Sequence, residues 1–216
     1  MHSRIPLAAL ACAVAACTPA ATPAPAPQPQ PVPAGSATSA AQTPAPAVQA
    51  ARDIHSFARP EVARVTHVDL DLHADFGAKM LTGTARLDIE TASSAREIVL
   101  DTKDLAIREV TDGAGRALQF ALGQPDSILG RALTIQLPQG TRKIAIVYGT
   151  SPNAAALQWL TPEQTAGKRH PYLFSQGQAI LTRTWIPTQD SPGIRQTYTA
   201  RVVVPPELKA VMSAEM

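Results

Sequence analysis

Two glutamines one residue apart, Gln176 and Gln178, are the side chains in this chain best suited to hold a small polar ligand. On an extended strand they would project to one face, about 7 Å apart. Gly177 between them would point the other way and let another backbone or a ligand approach closely. A glutamine offers a carbonyl acceptor, which suits a protonated α-amine, and an amide donor, which suits a peptide carbonyl. Side by side, two of them could hold the free amino terminus of a peptide. They could equally be polar residues of an edge strand bonded to backbone, and the residue types alone leave both readings open. The pair closes a stretch, residues 157–179, that gathers Trp159, Tyr172 and Phe174 in a chain with only 4% aromatic residues. These three rings read as packing residues.

Other chemistries find little support. None of the 5 histidines stands in an H-E-x-x-H motif, and no Cys/His cluster has metal-ligand spacing. His67 and His73 would share a strand face about 20 Å apart, too far to hold one zinc. With Asp69 and Asp71 they read as the solvated face of an amphipathic strand. No serine has a G-x-S-x-G context. Gly113-Ala114-Gly115 lacks the third glycine and the Gly-Lys-Ser/Thr of a phosphate loop, so it reads as a hairpin turn.

Strands must position these residues. Val68, Leu70 and Leu72 alternate with polar neighbours, and so do Ala85, Leu87 and Ile89. This period of two predicts two half-buried strands. Turn chemistry across 75–79 makes them a hairpin. Shorter strands are expected at 98–100, 105–110, 117–122, 133–137, 143–148, 179–183 and 197–204. Thr161 as N-cap with Pro162 after it predicts one helical turn over 161–166. Many short strands with turn-rich links predict an all-β fold, a curved sandwich or saddle. Phe57, Leu181, Trp185 and Ile186 are candidates for an exposed apolar surface.

Ahead of this domain, Arg4 precedes an apolar run over 5–16, too short to span a bilayer. It ends in Val14-Ala15-Ala16-Cys17, which resembles the lipobox of bacterial lipoproteins and implies cleavage and lipid attachment at Cys17. With Cys12 in the removed segment, the mature chain would have no disulfide and would rely on its core. Residues 18–51 carry no charge and are rich in Ala, Pro, Gln, Thr and Ser, the composition of a disordered, semi-stiff tether. The expected organisation is thus a 1–17 lipoprotein signal, an 18–51 tether and a 52–216 domain. The product would be exported, facing the periplasm, with the outer membrane favoured because no aspartate follows Cys17. All but one of the 19 Lys/Arg and all 17 Asp/Glu fall after residue 51. Their near balance leaves no footprint for nucleic acid or for an anionic membrane surface beyond the lipid anchor.

Several motifs together resemble a known family. They are Leu81-Thr82-Gly83-Thr84-Ala85, Leu100-Asp101-Thr102-Lys103-Asp104-Leu105 and above all residues 157–179. Gln189-Asp190-Ser191-Pro192, Tyr198-Thr199-Ala200 and the run from Val204-Pro205 to Met212-Ser213-Ala214 continue the likeness. The chain resembles the N-terminal domain of the M1-type zinc aminopeptidases, in the leukotriene A(4) hydrolase and aminopeptidase B branch. The resemblance implies a β saddle packed on a helical catalytic domain, with a Gln-x-Gln-Ala loop in the cleft. Gln178 would then contact the α-amino group of a peptide substrate, Gln176 would position the first residue or its carbonyl, and Gly177 and Ala179 would complete the loop. The family's zinc ligands belong to the catalytic domain, and no H-E-x-x-H occurs up to Met216. The expectation is therefore an N-terminal piece of an exported enzyme, without zinc of its own and inactive without its catalytic partner domain. The alternative is a stand-alone, non-catalytic lipoprotein for binding or assembly.

Overall fold

The computed structural model describes residues 52–216; the expected signal segment, Cys17 and the expected tether lie outside the described residues. The fold is all-β, as expected. The long hairpin is present, with β1 (Ala63–Asp75) antiparallel to β2 (Met80–Thr91). Its turn is closed by Asp75, whose Oδ1 accepts the Ala78 N–H at 2.8 Å, and by Lys79 at φ 55°. A bulge between Val65 and His67 shifts the alternation by one residue. Val65 therefore faces inward together with Val68, Leu70 and Leu72. At Gly83 the strands come so close that a Cβ would lie 2.0 Å from the Asp71 carbonyl oxygen, a position only glycine can fill.

Eight further strands follow: β3 (Glu97–Thr102), β4 (Ala106–Asp112), β5 (Phe120–Leu122), β6 (Arg131–Gln136), β7 (Lys143–Gly149), β8 (Leu157–Leu160), β9 (Tyr172–Ser175) and β10 (Thr197–Val203). They form a five-stranded sheet in the order β10-β1-β2-β7-β4, a three-stranded sheet β3-β6-β5 and a two-stranded ribbon β8-β9. β10 runs parallel to β1 at the edge of the large sheet. The inner faces of the two larger sheets share one core that includes Leu70, Leu87, Leu100, Leu133, Ile135 and Ile146. Tyr148 is also in this core, and burial raises the pKa of its hydroxyl, keeping it neutral.

On the outer face of the large sheet the charges pair across strands. Asp69 meets Arg86 at 3.4 Å, Asp71 meets Arg201 at 3.0 Å and Asp88 meets Lys143 at 2.6 Å. His67 sits among them on Thr197 and Thr199, in the solvated role expected of it.

Two expectations change. Residues 179–183 do not form a strand: they make a turn that leads into a 3-10 helix, Thr182–Thr184. Their apolar spacing serves a compact turn instead, because Arg183 and Thr184 face inward. The proposed exposed apolar surface also falls elsewhere. Phe57, Leu181 and Trp185 are half-buried and Ile186 is buried, whereas Tyr172, Phe174, Val203 and Val211 are exposed.

Candidate functional site

The β8-β9 ribbon carries the site. Leu157 pairs with Ser175, and Trp159 with Leu173. Trp159 packs edge-on against Phe76, with ring centroids 5.1 Å apart, so its role as a packing residue holds. Tyr172 and Phe174 are not core packing residues: they alternate with Leu173 along β9 and are exposed. The link between β8 and β9 contains the expected helical turn, a 3-10 helix at Pro162–Gln164. There Gln164 Oε1 accepts the Thr161 N–H at 2.9 Å, closing the turn onto its N-cap.

Gln176, Gly177 and Gln178 lie in a loop that begins where β9 ends, not on a strand. The reason is local: the Gln176 side chain turns back on its own backbone, and its Oε1 accepts the Gln178 N–H at 3.0 Å. The two glutamines therefore differ in role. Gln176 has its acceptor engaged in shaping the loop and keeps only its amide donors free. The Gln178 side chain makes no hydrogen bond to the described residues, and Gln176, Gln178 and Ala179 are all exposed. The Gln178–Ala179 peptide bond is cis. Gly177 does permit a close approach, but by the protein's own chain: a Cβ there would lie 2.6 Å from Thr182 Oγ1. The Leu181 N–H donates to the Gly177 carbonyl at 2.9 Å, folding the loop over the 3-10 helix Thr182–Thr184.

Beneath the loop lies a polar anchor that the motif reading did not identify. Arg183 is fully buried. Its Nε donates to Asp190 Oδ2 at 3.1 Å, its Nη1 to the Leu129 carbonyl at 3.1 Å, and its Nη2 to the carbonyls of His55 at 2.8 Å and Asp190 at 3.0 Å. Asp101, also fully buried, lies 3.8 Å from the guanidinium. Its carboxylate accepts the Ser56 hydroxyl at 2.5 Å and the N–H groups of Phe57 at 2.7 Å and Asp190 at 2.9 Å. Gln189 completes the anchor: its Oε1 accepts the Val65 N–H at 2.9 Å and its Nε2 donates to the Ala63 carbonyl at 2.8 Å. Every charge here is paired and hydrogen-bonded, as burial demands. The sequence did hold a signal: Asp101 directly follows the apolar run Ile98-Val99-Leu100, where an acid must find a partner.

The Leu129 carbonyl is itself held in place. Asp126 Oδ1 accepts the N–H groups of Leu129 and Ile128, each at 2.7 Å, and these bonds lower the Asp126 pKa below its ordinary value. Among the described residues, no group of three or more His, Cys, Asp or Glu side chains could hold a metal ion. The described residues therefore do not fit a zinc site.

Comparison with known proteins agrees with this architecture. The profile of the peptidase M1 N-terminal domain matches residues 64–215. Leukotriene A-4 hydrolase of Xenopus laevis is 44% identical over 168 residues, covering 75% of this chain and 27% of the relative. Leucine aminopeptidase 2 of Yarrowia lipolytica is 38% identical over 154 residues, covering 70% of this chain and 24% of the relative. The structure of yeast LTA4 hydrolase in complex with bestatin superposes with a TM-score of 0.67 at 29% identity, over 73% of this chain and 25% of that one. The chain thus spans about a quarter of the length of the relatives it matches.

Proposed function

Because the chain belongs to the peptidase M1 N-terminal domain family, we propose that it is the substrate-binding domain of a zinc metallo-aminopeptidase, an enzyme that removes amino-terminal residues from peptides. In this reading the Gln178 Oε1 accepts from the protonated α-amine of a peptide, and the Gln176 amide donates to the first peptide carbonyl. Gly177 and the small Ala179 leave room for the peptide backbone. Zinc, and the residues that activate water on it, would come from a catalytic domain outside the described residues.

The observation that carries the proposal is the unspent Gln178 amide. It stands exposed on a loop whose shape is set by other groups, the Gln176 Oε1 bond to the Gln178 N–H and the Leu181 N–H bond to the Gly177 carbonyl. The stand-alone module reading keeps the same loop but lacks a catalytic partner. Titrating the full chain with tri-alanine while recording the side-chain amide resonances tests the binding role. The Gln178 amide should shift with the free-amine peptide and stay still with its N-acetylated form. Equal responses to both peptides would overturn amine recognition.

Export is part of the same proposal. Cys17 would carry the lipid and residues 18–51 would hold the domain away from the membrane, facing the periplasm. Metabolic labelling with tritiated palmitate should mark the protein, and Cys17→Ser should abolish the mark; an unlabelled wild-type product would sink the anchor.

A further inference from the structure

We propose that Thr184 is a positioning residue that closes the glutamine loop at its base. The loop leaves β9 at Gln176 and re-enters the body of the domain at the 3-10 helix Thr182–Thr184. Both ends are tied to one residue, Ala156, just before β8. The Gln176 N–H donates to the Ala156 carbonyl at 2.9 Å. The Ala156 N–H donates to Thr184 Oγ1 at 3.1 Å. The Thr184 hydroxyl in turn donates to the Leu181 carbonyl at 2.7 Å. A single residue next to the ribbon therefore pins the start of the loop through its carbonyl and the end through its amide.

Thr184 is 2% exposed and Ala156 1%, so water cannot readily replace the hydroxyl as acceptor. The Arg183 side chain does not do this work: it bonds to His55, Leu129 and Asp190 and pairs with Asp101, and none of these belongs to β8 or to Ala156. Thr184 is thus the side chain that couples the anchored segment to the residue just before β8, the strand paired with the one from which the loop departs. It touches no substrate; its effect on amine binding, which rests on the function proposed above, passes through the placement of Gln178.

Thr184→Val keeps the shape and removes the hydroxyl, while Thr184→Ser keeps the hydroxyl. Hydrogen exchange by NMR on the full chain reads the result. In Thr184→Val the amides of Gln178 and Leu181 should exchange about tenfold faster or more, with those of Leu70 and Leu87 in the central hairpin unchanged. Thr184→Ser should restore wild-type protection, and tri-alanine affinity should fall and recover in parallel. Loop exchange within twofold of wild type in Thr184→Val would overturn the proposal. Equal acceleration in loop and hairpin would also overturn it, because the hydroxyl would then serve the fold in general.

If Thr184→Val does not fold, exchange in the wild-type chain under sub-denaturing urea decides. Ala156, Gln178 and Leu181 must open together with a common urea dependence; independent opening refutes the coupling. Failure of wild-type tri-alanine binding would remove the amine-binding reading and leave the exchange result to judge the positioning role separately.

Discussion

The exposed loop at Gln176 to Ala179 and the buried anchor around Arg183 stand only a few residues apart, yet they use their polar groups in opposite ways. In the loop the Gln178 amide is left free. In the anchor every charged or amide group is consumed by a partner within the fold. Under the proposed function, this contrast is how a domain of strands would present a recognition group accurately. The group itself adds little to folding, and its placement is supplied by a neighbouring segment whose polar groups cannot be disturbed without leaving a buried charge unpaired.

The largest test of that contrast is Arg183→Ala. Removing the guanidinium strands the Asp101 carboxylate, which is fully buried, and frees the carbonyls of His55, Leu129 and Asp190. A loss of about 3–5 kcal/mol is expected, since breaking one side of a buried pair exposes the other to an unpaid desolvation penalty. Urea unfolding of the full chain measures it. A loss under about 1 kcal/mol would mean that the anchor is energetically no different from a surface ion pair, and the contrast would collapse.

The sequence made different parts of these two regions legible. The β1-β2 hairpin was readable because period-two alternation and the turn at Asp75 are local signals. The identity of the glutamine pair as the candidate site was readable from residue chemistry and from motif likeness. Its geometry was not: a strand would have put both glutamines on one face, but the Gln176 side chain bends the backbone by bonding Gln178, an interaction that no periodicity records. The anchor was not legible because its members, Ser56, Asp101, Arg183 and Asp190, come from segments far apart in the chain; the bond from Arg183 to His55 alone joins positions 128 apart. The exposed rings of Tyr172 and Phe174 escaped for a related reason. A two-stranded ribbon has one covered face, and which face that is depends on Trp159 meeting Phe76 from the β1-β2 turn and on Leu173 packing against the core.

Gly177→Ala probes the junction between the two regions and should have an intermediate effect. The new methyl would meet Thr182 Oγ1 at 2.6 Å, so either the hydroxyl rotates away or the loop lifts from the helix beneath it. A cost of about 1–3 kcal/mol is expected from such overpacking. The double variant Gly177→Ala with Thr182→Ala should recover part of that cost, because the clashing oxygen is gone. Thermal or urea unfolding of the two variants measures the recovery. Strictly additive losses would show that loop and helix are not in tight contact and that the anchor ends before it reaches the loop.

Gln178→Ala should have the smallest effect on folding. Its amide makes no hydrogen bond to the described residues and the residue is exposed, so no buried group loses a partner and no cavity opens. Stability should stay within about 0.5 kcal/mol of wild type, the range of substitutions away from structural features. The discriminating readout is therefore a pair of measurements on the same variant, urea unfolding and the tri-alanine titration. Unchanged stability with lost peptide response separates recognition from architecture at this position. A stability loss above about 1 kcal/mol would instead place Gln178 on the anchor's side of the comparison, as a residue the fold depends on.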